Sequence, residues 1–203
     1  MTKDTALMLG LGALGAAVLA AVVYVGSTQM RPTDSQASFR SEMAMNQAAN
    51  WPTIPRLATG LAIERYGPPD RVTPGRLEWD ERQPWKRIAL TDHPLSPLEQ
   101  TVAYAVPAAM DAEVARFPHG VTIGQGGLEL TTRSDREELN LLALNLVDEI
   151  ARGKRSPPEA DAFYLRTIEL LAAGKSSPYT ERLLFPTAPE REGLGLIMPG
   201  PAW

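Results

Sequence analysis

The chain has 203 residues, of which 44% are hydrophobic and 22% charged, and these proportions are typical of a folded protein rather than a disordered one. Its length predicts one domain, or one domain plus an attached segment. The formal net charge of −4 argues against a nucleic-acid-binding surface. The absence of cysteine excludes disulfide bonds, thiolate metal ligands, thiol nucleophiles and a lipidated lipoprotein cysteine.

Residues 5–26 are the most distinctive segment, because 22 consecutive residues carry no charged side chain. As an α-helix they would extend ~33 Å at ~1.5 Å per residue, which matches the ~30 Å hydrocarbon core of a bilayer. A secretory signal would have a more basic start and a shorter apolar run, and a buried helix would show a polar stripe. The sequence therefore predicts a short N-terminal tail at residues 1–4 and a retained transmembrane helix at residues 5–26.

Small side chains recur along one face of this predicted helix, at Gly12, Gly15, Ala16 and Ala20. Such a face lets a second helix approach closely in lipid, so we expect these residues to pack against transmembrane helices of other subunits. The alternative is that Gly and Ala are simply common in membrane spans. Lys3 and the short tail before the span favour a cytoplasmic N-terminus and an exported C-terminal domain, although arginines also follow the span.

Residues 27–50 are polar and weakly patterned, which is typical of a tether with at most a loose helix near residues 39–49. As a flexible coil this segment would span ~27 Å. If it lies extended on a partner, it is a contact surface instead, and the sequence does not distinguish the two. An α+β globular domain is then expected over residues 51–179.

The domain is predicted to begin with a short helix, which antiparallel strands follow. Helix 55–66 would bury an apolar face made of Leu57, Ala58, Leu61 and Ala62. Alternating patterns then predict four or five strands, within residues 75–79, 84–90, 101–106 and 121–130. Because each strand closely follows its neighbour along the chain, the sheet is expected to be antiparallel.

The last third of the domain is predicted to be a helical hairpin. Ser134 with Glu137 and Ser156 with Glu159 match the capping-box pattern at two helix starts. The first helix is apolar on more than one side, so we expect it to lie against the sheet, with the second helix packed beside it. The predicted fold class is therefore α+β: an N-terminal transmembrane helix, then an antiparallel sheet of four or five strands with a C-terminal helical hairpin packed on it.

Residues 180–203 are rich in proline and lack periodicity, which predicts an extended C-terminal tail. The end of this tail is apolar, and its candidate contacts with a partner are Leu194, Leu196, Ile197, Met198 and Trp203. Docking of these residues on the protein's own domain and disorder of the tail are the two alternatives.

No catalytic, cofactor or metal site is predicted. His93 and His119 lie in loops beside proline and lack the spacing of a metal site, so we expect them to brace loops or lie at the surface. No serine has the G-x-S-x-G setting of a hydrolase nucleophile. The glycine-rich residues 124–127 lie between predicted strands, which favours a hairpin turn over a phosphate-binding loop.

The segment ERYGPPDRVTPGRLEW, residues 64–79, resembles the helix–YGxP–strand opening of small bacterial envelope lipoproteins that assist outer-membrane protein assembly. The chain departs from that family because it has no lipidated cysteine and carries a long helical hairpin. Residues 139–185, with PWKR and LEQTVAYAVP, are similar to uncharacterised bacterial single-span envelope proteins. This resemblance implies an α+β envelope domain and no activity. Together with the predicted span and its topology, we expect a single-pass protein of the bacterial inner (cytoplasmic) membrane with a periplasmic C-terminal domain.

Two functional hypotheses follow. The first is a non-catalytic accessory or assembly subunit of a larger bacterial inner-membrane complex, for example an electron-transfer complex, whose partners are other subunits and the lipid bilayer. The second is a membrane-tethered ligand-binding domain, or an unrecognised hydrolase, with a pocket between the sheet and the helical hairpin. Neither hypothesis includes a cofactor or a nucleic-acid partner.

Overall fold

One antiparallel sheet of six strands organises the computed structural model, which describes residues 32–187. The strands are β1 (Arg71–Thr73), β2 (Arg76–Arg82), β3 (Trp85–Thr91), β4 (Leu98–Ala103), β5 (Val121–Ile123) and β6 (Glu129–Ser134). The helices are α1 (Pro32–Ala48), α2 (Thr53–Tyr66), α3 (Asp111–Ala115), α4 (Glu137–Ala151), α5 (Pro157–Ala172) and α6 (Pro178–Glu181). Short 3₁₀ turns precede α3 (Ala108–Met110) and β6 (Gln125–Gly127).

The strands are ordered β1-β2-β3-β4-β6-β5, and every neighbouring pair is antiparallel. This arrangement confirms the predicted α+β class and the antiparallel sheet. The predicted number of strands is too low, because β1 has only three residues and its alternation is too short to be recognised in the sequence. β1 pairs with β2 through a tight turn in which Gly75 has a positive φ of 75°.

The two faces of the sheet differ in chemistry. One face is buried and mostly apolar, and its largest apolar side chains are Leu77, Trp79, Ile88, Leu90, Val102 and Leu130. The other face carries arginine and carboxylate side chains that form ion pairs. For example, Arg76 of β2 pairs with both Glu78 and Glu99. Burial of the first face under helices supplies the main hydrophobic stabilisation of the domain.

Helix α4 packs on the sheet and α5 lies beside it, as the sequence predicts. Eleven of the 15 residues of α4 are buried. Helix α5 buries a single stripe, which consists of Pro157, Ala160, Tyr164 and Thr167. The sheet, α4 and α5 therefore form successive layers, and α4 occupies the middle of the core.

The predicted helix caps are half correct. Ser156 and Glu159 form the expected capping box at the start of α5, where the Ser156 N–H donates to the Glu159 carboxylate at 2.9 Å. The box predicted for Ser134 and Glu137 is wrong. The Ser134 hydroxyl donates to the backbone carbonyl of Arg136 at 2.6 Å, which leaves the Glu137 carboxylate directed toward other partners.

The N-terminal boundary of the domain lies earlier in the chain than predicted. Helix α1 occupies most of the segment interpreted as a tether and contacts α2 and β1, and its Ala44 and Ala48 are fully buried. The tether prediction for residues 27–50 is therefore corrected from residue 32 onward. The buried positions of α1 are alanines, so its helical pattern is weak in the sequence.

The C-terminal boundary also moves, because residues 180–187 pack on α4 rather than beginning an extended tail. The Asn145 amide donates to the carbonyls of Tyr179 (3.0 Å) and Arg182 (2.8 Å), and its oxygen accepts the Leu184 N–H at 2.7 Å. Phe185 is buried edge-on against Tyr104, with 5.0 Å between the ring centroids. The domain thus extends beyond the predicted limit at residue 179.

Several predictions concern residues outside the described range. The predicted transmembrane helix at residues 5–26, the tail before it and the apolar end of the chain all lie there. Among residues 32–187, no helix combines the length and the apolar character that crossing a bilayer requires.

Substitution of Asn145 tests the corrected C-terminal boundary. Asn145→Ala leaves three backbone groups of residues 179–184 without their partner, so we expect the free energy of unfolding to fall by about 2 kcal/mol. Urea denaturation followed by tryptophan fluorescence measures this change. The matched control is Asn46→Ala on the exposed side of α1, which should change stability by no more than about 0.5 kcal/mol; equal effects of the two changes would contradict the boundary.

Candidate functional site

Helix α2 presents three of its large apolar side chains to solvent, whereas Ile63 is half-buried against the core. The sequence predicts that Leu57 and Leu61 are buried, but they are 64% and 68% exposed, and Ile54 is 41% exposed. These three residues lie at i, i+3 and i+7 and share one side of the helix, and we call them the α2 ridge. The predicted apolar face is therefore wrong at Leu57 and Leu61, whereas Ala62 is buried and Ala58 is half-buried against the core.

The small size of the buried residues explains this orientation of α2. Ala62 and Thr59 let the helix lie close to the rest of the domain, where a leucine would hold it away. The Thr59 hydroxyl donates to the Pro55 carbonyl at 2.9 Å and so needs no partner outside the helix. The ridge is left on the outer side, where a second protein can contact it.

A groove of ≈ 470 Å³ lies beside the ridge, between α2 and the first turn of α4. Its apolar lining consists of Ala58, Leu61, Ala62, Leu90 and Leu98. Its charged lining consists of Glu64, Arg65, Asp135, Arg136, Glu137 and Glu138. This volume falls within the range of about 300–1,000 Å³ in which proteins bury small ligands. Leu61 belongs to both the ridge and the groove, so the two form one continuous surface.

The carboxylate of Glu137 joins three elements at the inner end of this groove. One oxygen accepts the Trp85 indole N–H of β3 at 3.3 Å. The other accepts the Tyr66 hydroxyl of α2 and pairs with the Arg65 guanidinium, whose Nε lies 3.1 Å away. Only 11% of the Glu137 side chain is exposed, so these donors replace most of its contact with water. The carboxylate also lies in the first turn of α4, where the helix dipole favours negative charge.

A chain of polar side chains continues from Tyr66 into the core. The Gln100 amide donates to the Tyr66 hydroxyl at 3.2 Å, and the Asn140 amide donates to the Gln100 oxygen at 2.9 Å. Asn140 also donates to the Leu98 carbonyl at 3.2 Å and accepts the Thr132 hydroxyl at 3.4 Å. Gln100, Asn140 and Thr132 are almost completely buried, so this chain fixes α2, the sheet and α4 relative to one another.

The protonation of Tyr66 suits its role as a donor. Burial, followed by the hydrogen bond and the charge of Glu137, raises the pKa of the Tyr66 hydroxyl far above its ordinary value of 10.0. The hydroxyl therefore keeps its proton at every physiological pH, and the Glu137 carboxylate keeps a hydrogen-bond donor.

Both histidines brace local structure, as the sequence predicts. The His93 Nδ1 accepts the backbone N–H groups of Leu95 (3.4 Å) and Ser96 (3.0 Å). The His119 ring stacks on Tyr164 with 3.6 Å between centroids, and its Nε2 lies 2.7 Å from the Asp161 carboxylate. Within the described part of the chain, no group of three or more histidine or acidic side chains is placed to hold a metal ion.

The open face of the sheet is held by ion pairs around Glu99. Burial alone would raise the pKa of Glu99, but hydrogen bonds from Arg133 and Arg76 outweigh burial and hold the pKa below its ordinary value of 4.5. These charges largely neutralise one another across β2, β4 and β6. This face is therefore a stabilising surface rather than a strongly charged binding patch.

The sequence does not identify this candidate site. Glu137 matches a capping-box pattern, and Leu57 and Leu61 match the buried side of a helix. Each pattern has an ordinary structural explanation, so neither indicates a site. The one signal in the sequence is that α2 carries more apolar residues than the neighbouring elements can bury. The residues predicted for partner contacts in the span (Gly12, Gly15, Ala16 and Ala20) and at the chain end (Leu194, Leu196, Ile197, Met198 and Trp203) lie outside the described range.

Comparison of the chain with protein families, curated proteins and solved structures gave no match. The similarity to single-span envelope proteins and to outer-membrane-assembly lipoproteins therefore stays a prediction.

Substitution of Glu137 tests its role as the joint between α2, β3 and α4. Glu137→Gln keeps the shape but places an NH₂ group among three donors, so we expect the free energy of unfolding to fall by about 2 kcal/mol. The matched control is Glu138→Gln, since Glu138 is the adjacent, exposed carboxylate. Thermal and urea denaturation compare the two proteins, and a similar loss in both would show that Glu137 has no special role.

The ion pairs around Glu99 predict a specific dependence of stability on pH. Because the pKa of Glu99 is lowered in the folded state, its contribution is complete above the unfolded pKa of about 4.5 and disappears as pH falls through the folded pKa. Glu99→Gln should reduce stability at pH 7 by about 1 kcal/mol, after allowance for solvent screening, and should flatten the loss of stability below pH ~4.5.

Urea denaturation between about pH 3 and pH 7 measures this effect. Glu169→Gln on the exposed surface of α5 is the control and should leave the pH profile unchanged. An identical profile for Glu99→Gln and the wild type would contradict the assignment.

Proposed function

We propose that this protein is a non-catalytic, membrane-anchored accessory or assembly subunit of a larger bacterial inner-membrane complex. Its domain acts through protein–protein contacts, with the α2 ridge and the adjoining groove as the contact surface. The anchor is the predicted span at residues 5–26, and a periplasmic position follows from the predicted topology. An electron-transfer complex is one class of assembly that this role would fit.

The α2 ridge is the observation that carries this proposal. Three large aliphatic side chains share one side of a well-packed helix, and each is more than 40% exposed. Single exposed leucines are common, but an aligned set next to an apolar groove is typical of a protein contact site. Burial of one leucine is worth about 1.5–3 kcal/mol, so covering the ridge would favour association.

A ligand-binding role is the second candidate, and the volume of the groove supports it. The sequence places such a pocket between the sheet and the helical hairpin, whereas the groove lies between α2 and α4. A second hollow of ≈ 430 Å³ adjoins it at Glu137 and Glu138 and is bounded by Leu171 at the end of α5. Among the residues that line the groove there is no serine or histidine to form a nucleophile–base pair, which favours binding over hydrolysis.

Native electrophoresis after mild detergent extraction tests the proposal. The wild type should migrate with a large complex, and Leu57→Asp with Leu61→Asp should lower the co-purified fraction at least about ten-fold. Leu165→Asp is the control, because Leu165 is 52% exposed on a different helix, α5. A wild-type protein that migrates as a lone monomer and melts at a higher temperature with a small ligand would instead support the second candidate.

The predicted span provides an independent test of the same role. Gly12→Leu together with Ala16→Leu fills the small-residue face, so association should weaken while membrane insertion is unchanged. Carbonate extraction measures insertion, and co-purification measures association. Unchanged co-purification would contradict helix packing through this face.

A further inference from the structure

We propose that the ridge and groove bind a cationic, leucine-rich helix of a partner subunit, with lysine or arginine side chains flanking its apolar stripe. This inference rests on the proposed function and specifies the chemistry of the partner. It combines the shape of the apolar surface with the charge of the groove rim.

The apolar part of the surface matches a short helix. From Ile54 to Arg65 the outer side of α2 covers three helical turns, or ~17 Å at ~1.5 Å per residue. Its large side chains are spaced at i, i+3 and i+7, and the groove beside them offers a floor of Leu90 and Leu98. A partner helix with the same spacing would place its own leucines between the ridge and the groove floor.

The rim determines the charge of the partner. Its six charged residues comprise four carboxylates and two guanidinium groups, which gives a net charge of −2. Arg65 pairs with Glu137, and Arg136 pairs with Asp135. Across residues 32–187 neither Glu64 nor Glu138 has an ion-pair partner within 4.0 Å, and both side chains are exposed. These two carboxylates complement a cationic partner and repel an acidic one.

The same charge disfavours two other occupants. The chain's own C-terminal segment carries Glu190 and Glu192 against Arg191 ahead of its apolar end, so its charge has the same sign as the rim. An anionic bilayer surface would also be repelled by this rim. A cationic helix of another subunit is the occupant that satisfies both the apolar surface and the charge.

Binding of two designed peptides to the purified full-length protein in detergent tests the proposal. Both are fluorescein-labelled helices of about 12 residues with leucines at i, i+3, i+4 and i+7, and they differ only in flanking lysines or flanking glutamates. We expect the lysine peptide to bind about ten-fold more tightly near 50 mM salt, and the preference to shrink near 500 mM salt. Fluorescence anisotropy measures the affinities.

Variants locate the binding to this surface. Glu64→Lys with Glu138→Lys should abolish or reverse the charge preference, whereas Glu42→Lys with Glu169→Lys, exposed acids on other helices, should keep it. Leu61→Asp should weaken the binding of both peptides, whereas Leu165→Asp should leave the binding of both unchanged. Equal binding of the two peptides, or a preference that survives reversal of Glu64 and Glu138, would overturn the proposal.

Crosslinking in native membranes identifies the occupant directly. The chain has no cysteine, so Leu57→Cys and the control Leu165→Cys each accept one cysteine-directed photocrosslinker. Mass spectrometry of the Leu57→Cys product should find a net-positive, leucine-containing segment of another subunit. Attachment to lipid, to an acidic segment or to residues 188–203 of the same chain would overturn the inference. If the inference fails in this way but Leu57→Asp with Leu61→Asp still disrupts the complex, the proposed function would be retained.

Discussion

The buried carboxylate of Glu137 is the interaction on which the geometry of this surface depends. It lies at the start of α4 and accepts hydrogen bonds from β3 and α2, so one side chain fixes the relative positions of three elements. A carboxylate removed from water is costly unless donors surround it. Here Tyr66 and Trp85 donate hydrogen bonds to the carboxylate, and Arg65 forms an ion pair with it. The groove exists because this joint holds α2 beside α4 without closing the space between them.

The hydrogen bonds around Glu137 and the exposed α2 ridge both follow from the way α2 packs on the domain. Helix α2 is attached through Tyr66 at its C-terminal end and through small residues along its inner side, so its leucines are not needed for attachment. In most amphipathic helices the largest apolar residues provide the contact with the core. Because Tyr66, Ile63 and the small residues already hold α2 against the core, its leucines face outward.

Sequence patterns predict the parts of this fold in which the buried side chains are large and apolar. Helix α4 is apolar on nearly all sides and lies in the middle of the core, and the glycines at 153 and 174 mark helix ends with positive φ. The patterns fail where small residues do the packing, as with Ala44 and Ala48 in α1. They fail at the site because the role of Glu137 depends on Tyr66 and Trp85, which lie 71 and 52 residues away in the chain. No local pattern contains such a contact.

A rigid α2 also changes the energetics of association. The chain from Gln100 to Thr132 through Asn140 is buried and hydrogen-bonded throughout, so the helix that carries the ridge is ordered before any partner arrives. A partner that contacts a preformed surface loses less conformational entropy than one that must order a loop. The apolar area of the ridge can then contribute more of its burial free energy to binding, and the acidic rim can select among apolar helices by their charge. If the proposed function holds, the stability that Glu137 contributes and the recognition of a partner at Leu61 are coupled through α2, because Glu137 holds the helix that carries Leu61.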